Sequence, residues 1–133
     1  MVRIKFNKLA SLIFLDTIIA GKKKSQEMFV RLVLDTGSVA TVVSYDLMEY
    51  LGYAPEKSRR TGRLITGSGV EYAPIITVTK MSVGGESLKN VEVHCHNFPA
   101  ESYVDGVIGL NFLRHFNFEI NYDQGEVILK RKK

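Results

Sequence analysis

Leu32-Val-Leu-Asp-Thr-Gly-Ser38 puts a carboxylate at the end of an almost wholly apolar run. The run it closes, Glu27–Leu34, reads as a central, buried β-strand. A carboxylate in that position costs free energy unless it is paired or hydrogen-bonded. Gly37 lets other backbone approach it closely, and Thr36 and Ser38 add hydroxyls within reach of a turn. Taken alone, Asp35-Thr-Gly-Ser38 also suits a plain Asp turn at a strand end, because all four residue types are common in turns.

The flanking sequence is strand-rich. Residues 11–20 hold many strand formers, and Gly21-Lys-Lys-Lys-Ser25 reads as the turn of a hairpin leading into 27–34. Residues 39–43 read as a short buried strand dense in β-branched side chains. A helix follows, with Ser44 as N-cap, Asp46 in its first turn and Gly52 as its stop. Residues 61–72 read as a hairpin with Gly67, Ser68 and Gly69 at its tip. Strands at 75–83 and 91–96 flank a tight Gly84-Gly85 turn. Val107-Ile-Gly-Leu110 is a short apolar run, a helical turn is expected at 111–116, and a hairpin closes around Asp123-Gln-Gly125.

With 133 residues and 15.0 kDa, the chain reads as a single domain over 1–133. A hydrophobic fraction of 45% excludes a disordered chain. One cysteine, Cys95, excludes a disulfide scaffold and fits a reducing, cytoplasmic compartment. Eighteen Lys+Arg against fourteen Asp+Glu leave +4, too little to call for nucleic acid. No apolar run is long enough to span a bilayer, so membrane insertion within this chain is not expected. The basic start followed by apolar residues has the charge order of a signal peptide. Asp16 interrupts it, and the strand reading is preferred.

Several other chemistries fail on the residues. A haloacid-dehalogenase-like phosphatase needs a second Asp where Gly37 stands. A P-type ATPase needs a Lys where Thr36 stands. Gly67-Ser-Gly69 is not a phosphate loop, since no Lys follows. His94 and His96 share one face of a strand, with Cys95 on the other. Two imidazoles fall short of a zinc site, so no metal is expected and the segment reads as a half-exposed strand. Asp105 reads as a turn or capping residue. The lysines at 22–24 and the basic end at 130–133 read as solvated.

The order of motifs decides between the readings of Asp35. Leu32-Val-Leu-Asp-Thr-Gly-Ser38, Thr41-Val-Val-Ser44, a glycine-tipped hairpin and Asp105-Gly-Val-Ile-Gly109 with Asn111-Phe-Leu113 follow one another at compact spacing. This order resembles the retropepsin-like aspartic proteases over about residues 12–129, and the cellular and bacterial members more than the viral ones. The resemblance implies an all-β fold. It would be a closed β-barrel or sandwich with a flap hairpin and one or two short helices, acting as a homodimer. It implies that Asp35 is catalytic and that Thr36 hydrogen-bonds across the dimer axis. Gly37 would let substrate backbone lie close, and Ser38 would donate to the carboxylate. Gly67, Ser68 and Gly69 become the flap tip. Val39, Ala40, Val107, Ile108 and Gly109 become the floor and wall of the substrate cleft. Retroviral members usually carry an Asp after the tetrapeptide and an Arg after the later Gly, which pair to brace the dimer. Val39 and Leu110 stand there instead.

Peptide hydrolysis of this kind uses two carboxylates sharing one proton. This chain has one motif, so a two-fold copy of itself would supply the second Asp35. The function implied is an aspartic endopeptidase acting on extended polypeptides, with no metal or organic cofactor. The alternative is a catalytically silent dimerisation or peptide-binding module on the same fold, since fold does not prove activity. A proteolytic domain of a longer, membrane-anchored parent is also compatible with these residues.

Overall fold

The apolar run before Asp35 becomes the middle of a sheet. The structure, a computed structural model, describes residues 1–133. Its strands are β1 (Val2–Lys5), β2 (Phe14–Ala20), β3 (Glu27–Leu34), β4 (Thr41–Val43), β5 (Thr61–Thr66), β6 (Gly69–Val83), β7 (Glu86–Cys95), β8 (Gly106–Ile108), β9 (Phe116–Asn121) and β10 (Glu126–Arg131). Two short helices, α1 (Tyr45–Tyr50) and α2 (Leu110–Leu113), and two 3-10 turns complete it. The strand order β2-β3-β8-β4-β7-β6 closes through a β2–β6 pairing into a six-stranded barrel. β3 runs parallel to β8, and β4 runs parallel to β7, while β4 and β8 are antiparallel. The closed β-barrel with few helices is the all-β architecture implied by the resemblance.

Alternation explains the core. Leu15 and Ile19 of β2, Val30 and Leu32 of β3, and Val93 and Cys95 of β7 all point inward and are buried. Phe112 and Leu113 of α2 seal one side, and Met48 of α1 another. β1, β10 and β9 form a separate three-stranded sheet. Its inward residues Ile4, Val127 and Leu129 join the same core cluster. Ile4 seats that sheet on the Gly84-Gly85 turn, where a Cβ on Gly84 would lie 2.4 Å from the Ile4 side chain.

Several boundaries differ from the sequence reading. β1 was not expected, because only Ile4 of its four residues is buried and two of the others are basic. The strand expected at 75–83 starts at Gly69, so the hairpin and the barrel share one fifteen-residue strand. Pro74 does not break it. β6 has parted from β7 by that point and has one free edge, where a missing N–H costs nothing. β7 begins at Glu86 rather than 91. The ladder skips Thr79 and Asn90, and Asn90 takes a φ of 55°, so the alternation is interrupted. Ser44 precedes α1 as expected but does not cap it with its side chain. Its hydroxyl donates to Asn97 Oδ1, and that same oxygen accepts the Asp46 N–H.

Candidate active site

β3 delivers Asp35 to the rim of the barrel and a tight loop holds it there. The Asp35 N–H donates to the Ile108 carbonyl, tying the loop to the end of β8. The Gly37 N–H donates to Asp35 Oδ1 at 3.0 Å. A Cβ on Gly37 would stand 3.3 Å from that oxygen, so the glycine keeps the carboxylate uncrowded. Asp35 is half-buried, while Thr36 and Gly37 are exposed at the crown of the loop.

Ser38 differs from the expectation. Its hydroxyl donates to the Ala40 carbonyl at 2.6 Å and not to the Asp35 carboxylate. The reason is local: the Ala40 carbonyl, two residues on, lies within short hydrogen-bond reach of the hydroxyl. The donor the carboxylate receives from its own chain is backbone, from Gly37.

Behind the loop, the Asp105-Gly-Val-Ile-Gly109 segment acts as a cradle. The Leu110 and Asn111 N–H groups donate to the Ser38 and Val39 carbonyls. A Cβ on Gly109 would fall 2.1 Å from the Ala40 oxygen, and one on Gly106 2.1 Å from the Val42 oxygen. Both glycines are required because two backbones touch there. Thr41, fully buried, donates to Asn111 Oδ1 and accepts the Gly109 N–H. Asn111 in turn donates to the Glu92 carbonyl. Asp105 precedes the apolar run, but its carboxylate reaches across to β3, where it accepts the Arg31 N–H at 2.9 Å.

The loop opens onto a cleft of about 520 Å³. Asp35, Gly37, Ser38, Val39, Ala40 and Val107 line its floor. Leu64 and Thr66 of β5 and His94, His96 and Phe98 bound its other side. Ile108 does not reach it. Neighbouring strand residues face opposite ways, so Val107 meets the cleft and Ile108 is fully buried in the core. Gly109 lies behind the loop. Gly67 and Ser68 form the hairpin turn, and Thr66 pairs with Gly69. Of the two tip glycines only Gly69 has positive φ, at 119°.

The expected strand 91–96 ends one residue early, at Cys95, yet His94 and His96 both face the cleft, with Cys95 buried. That this face turns into the cleft beside Asp35 depends on barrel closure, which no local pattern reveals. Burial is the main force lowering the His94 pKa, with Arg60 adding to it and Glu92 opposing it. Burial pushes the Cys95 thiol up to about 12, which leaves it protonated and unreactive. No three His, Cys, Asp or Glu side chains converge as a metal site.

A half-buried carboxylate on a glycine-lined loop, facing a cleft roofed by a hairpin, defines the retropepsin-like class of aspartic protease folds. The chain belongs to the family described as "gag-polyprotein putative aspartyl protease", whose profile matches residues 21–115. Its fold is similar to that of a retropepsin-like aspartic protease from Rickettsia conorii, with a TM-score of 0.71 and 19% identity. The match covers 96% of this chain and 88% of that one. No curated protein matches the sequence.

Proposed function

We propose that this chain is one subunit of a homodimeric aspartic endopeptidase, folded as a single domain, with Asp35 as the catalytic residue. The observation that carries the reading is the placement of Asp35. It is the one carboxylate lining the cleft, and it is held by a backbone donor with the rest of its oxygens free. Each protomer brings one such group, so a two-fold pairing at the loop crowns would bring two together. One carboxylate takes a proton from a water, whose oxygen adds to the scissile carbonyl carbon. The proton shared by the pair passes to the carbonyl oxygen, giving a tetrahedral diol. Collapse of the diol breaks the C–N bond, with a proton delivered to the leaving nitrogen.

Thr36 is exposed at the crown, which supports a role for it in meeting its symmetry mate across the dimer axis. The β5–β6 hairpin is the flap, with Gly67, Ser68 and Gly69 at its tip. Val39, Ala40 and Val107 offer apolar walls to substrate side chains, and strand edges offer backbone hydrogen bonds to an extended polypeptide. The test is incubation with a diverse peptide library. Wild type should cleave, and Asp35→Asn should not, while circular dichroism and dimer affinity stay the same. Cleavage retained in pure Asp35→Asn would assign the chemistry to another residue. A wild type that binds but never cleaves would make the chain a silent peptide-binding module.

A further inference from the structure

Beyond Ile75, paired with His94, β6 leaves the barrel. From there to the tip, β5 and β6 pair only with each other. At ~3.3 Å per residue this is an arm of ~20 Å carried by a single strand pair. Such an arm needs something to hold its height above the Asp35 loop.

Two contacts on its inner face do this. The first is steric. Gly62 of β5 lies on the His94 ring, where a Cβ would come within 2.1 Å of Nε2. The His94 Nδ1 is buried without a hydrogen-bond partner, so the ring is held by packing. The second is polar. Glu71, four residues out from Ile75 on β6, places Oε2 at 3.1 Å from His96 Nε2. The two partners belong to different bodies. The His96 N–H donates to the Val43 carbonyl of β4, and its ring stands edge-on to Phe98 at 6.3 Å. His96 therefore moves with the barrel and Glu71 with the arm. Alternation in β5–β6 puts Gly62, Leu64 and Glu71 on this inner face, and Ile65 and Tyr72 outward, at 83% and 69% exposure.

Resting on the flap reading above, we propose that Glu71 and His96 form a latch that pins the hairpin to the barrel, making both positioning residues for substrate capture. Neither touches the reacting atoms. The latch sets how far the arm must lift to admit a polypeptide and how well it stays down once one is bound.

The experiment is backbone hydrogen exchange on the full chain in wild type, Glu71→Ala, His96→Ala, the double variant and Glu71→Gln. A half-exposed Glu–His contact of this kind supports an effect of about 1.5- to fivefold. Amides in 61–72 should exchange faster by that factor in each Ala variant, with β3 and β9 unchanged. The double variant should be no faster than either single one, because they break the same bond. Glu71→Gln keeps an acceptor and should recover part of the protection. In peptide cleavage, Glu71→Ala, whose side chain does not line the cleft, should raise KM by the same factor at unchanged kcat. Unchanged exchange in 61–72, additive effects in the double variant, or a loss of kcat at constant KM would overturn the latch. The exchange result needs no activity. A wild type that cleaves nothing therefore defeats the protease reading and leaves exchange to decide the latch.

Discussion

Asp35 receives its in-chain hydrogen bond from the Gly37 backbone, while the Ser38 hydroxyl is spent on Ala40. The two arrangements predict different chemistry. If Ser38 stabilised the ionised carboxylate, its removal would move the pH profile of cleavage toward neutrality. With the donor in the backbone, Ser38→Ala should leave the profile in place. Two carboxylates sharing one proton still require a bell-shaped curve, measured as kcat/KM against pH. A profile displaced in Ser38→Ala would show that the hydroxyl turns to Asp35 in the working enzyme. His94 gives a second pH effect, on stability. Its folded-state pKa is lowered, chiefly by burial, so the unfolded chain binds its proton more readily. The stabilisation this brings is complete above the ordinary histidine value of about 6.5 and is lost as pH falls below it. His94→Gln should therefore show a smaller drop in Tm between pH 8 and pH 5.5 than wild type. An equal drop would place the acid sensitivity elsewhere.

The elements show which parts of a sequence speak for themselves. The Gly84-Gly85 turn, the stop at Gly52 and the turn at Gly125 were readable, and all four glycines take positive φ. The end of the run, Leu32–Leu34, was readable too, because continuous apolarity marks a strand covered on both faces, whereas Phe29 and Arg31 earlier in β3 point outward, Phe29 at 74% exposure. The fifteen-residue reach of β6 was not. Pro74 looks like an ending unless one knows that β6 has a free edge there. Glu71 gave no signal, since its partner His96 lies just past the end of β7 and their meeting depends on how the hairpin folds back. At the hairpin tip the two glycines are unequal. Gly69 sits at φ 119°, which L side chains rarely adopt, whereas Gly67 has negative φ and open space around it. Gly69→Val should distort the tip and impair peptide turnover several-fold, with global Tm held within about 2 °C, because the tip buries little. Gly67→Val should be nearly silent in both measurements. Equal effects at the two positions would mean that the tip acts through flexibility alone, not through its turn geometry.

The proposed pairing of two chains rests on surfaces that lie next to the Asp35 loop. Val39 is 80% exposed and Leu110 39%, and the Asn111 N–H donates to the Val39 carbonyl, so the two residues stand on linked backbone. These are the positions where viral relatives place a charged brace, and here apolar side chains face solvent instead. Apolar contact of this size gives less orientation than a buried ion pair. This points to a weak, concentration-dependent dimer, visible as a shift in sedimentation coefficient on dilution. The stronger test uses the shared site itself. If each active site needs an Asp35 from both chains, a chain carrying Asp35→Asn poisons every pair it enters. Mixing equal amounts of wild type and Asp35→Asn, at a total concentration where pairing is complete and exchange has equilibrated, leaves only pairs with two wild-type chains active. Random pairing puts these at roughly one quarter of all pairs. Activity should then be roughly half that of the wild-type chains alone at the same total number of wild-type subunits. A site complete within one chain would give no loss at all, and the difference between those two results needs no structure of the dimer to read.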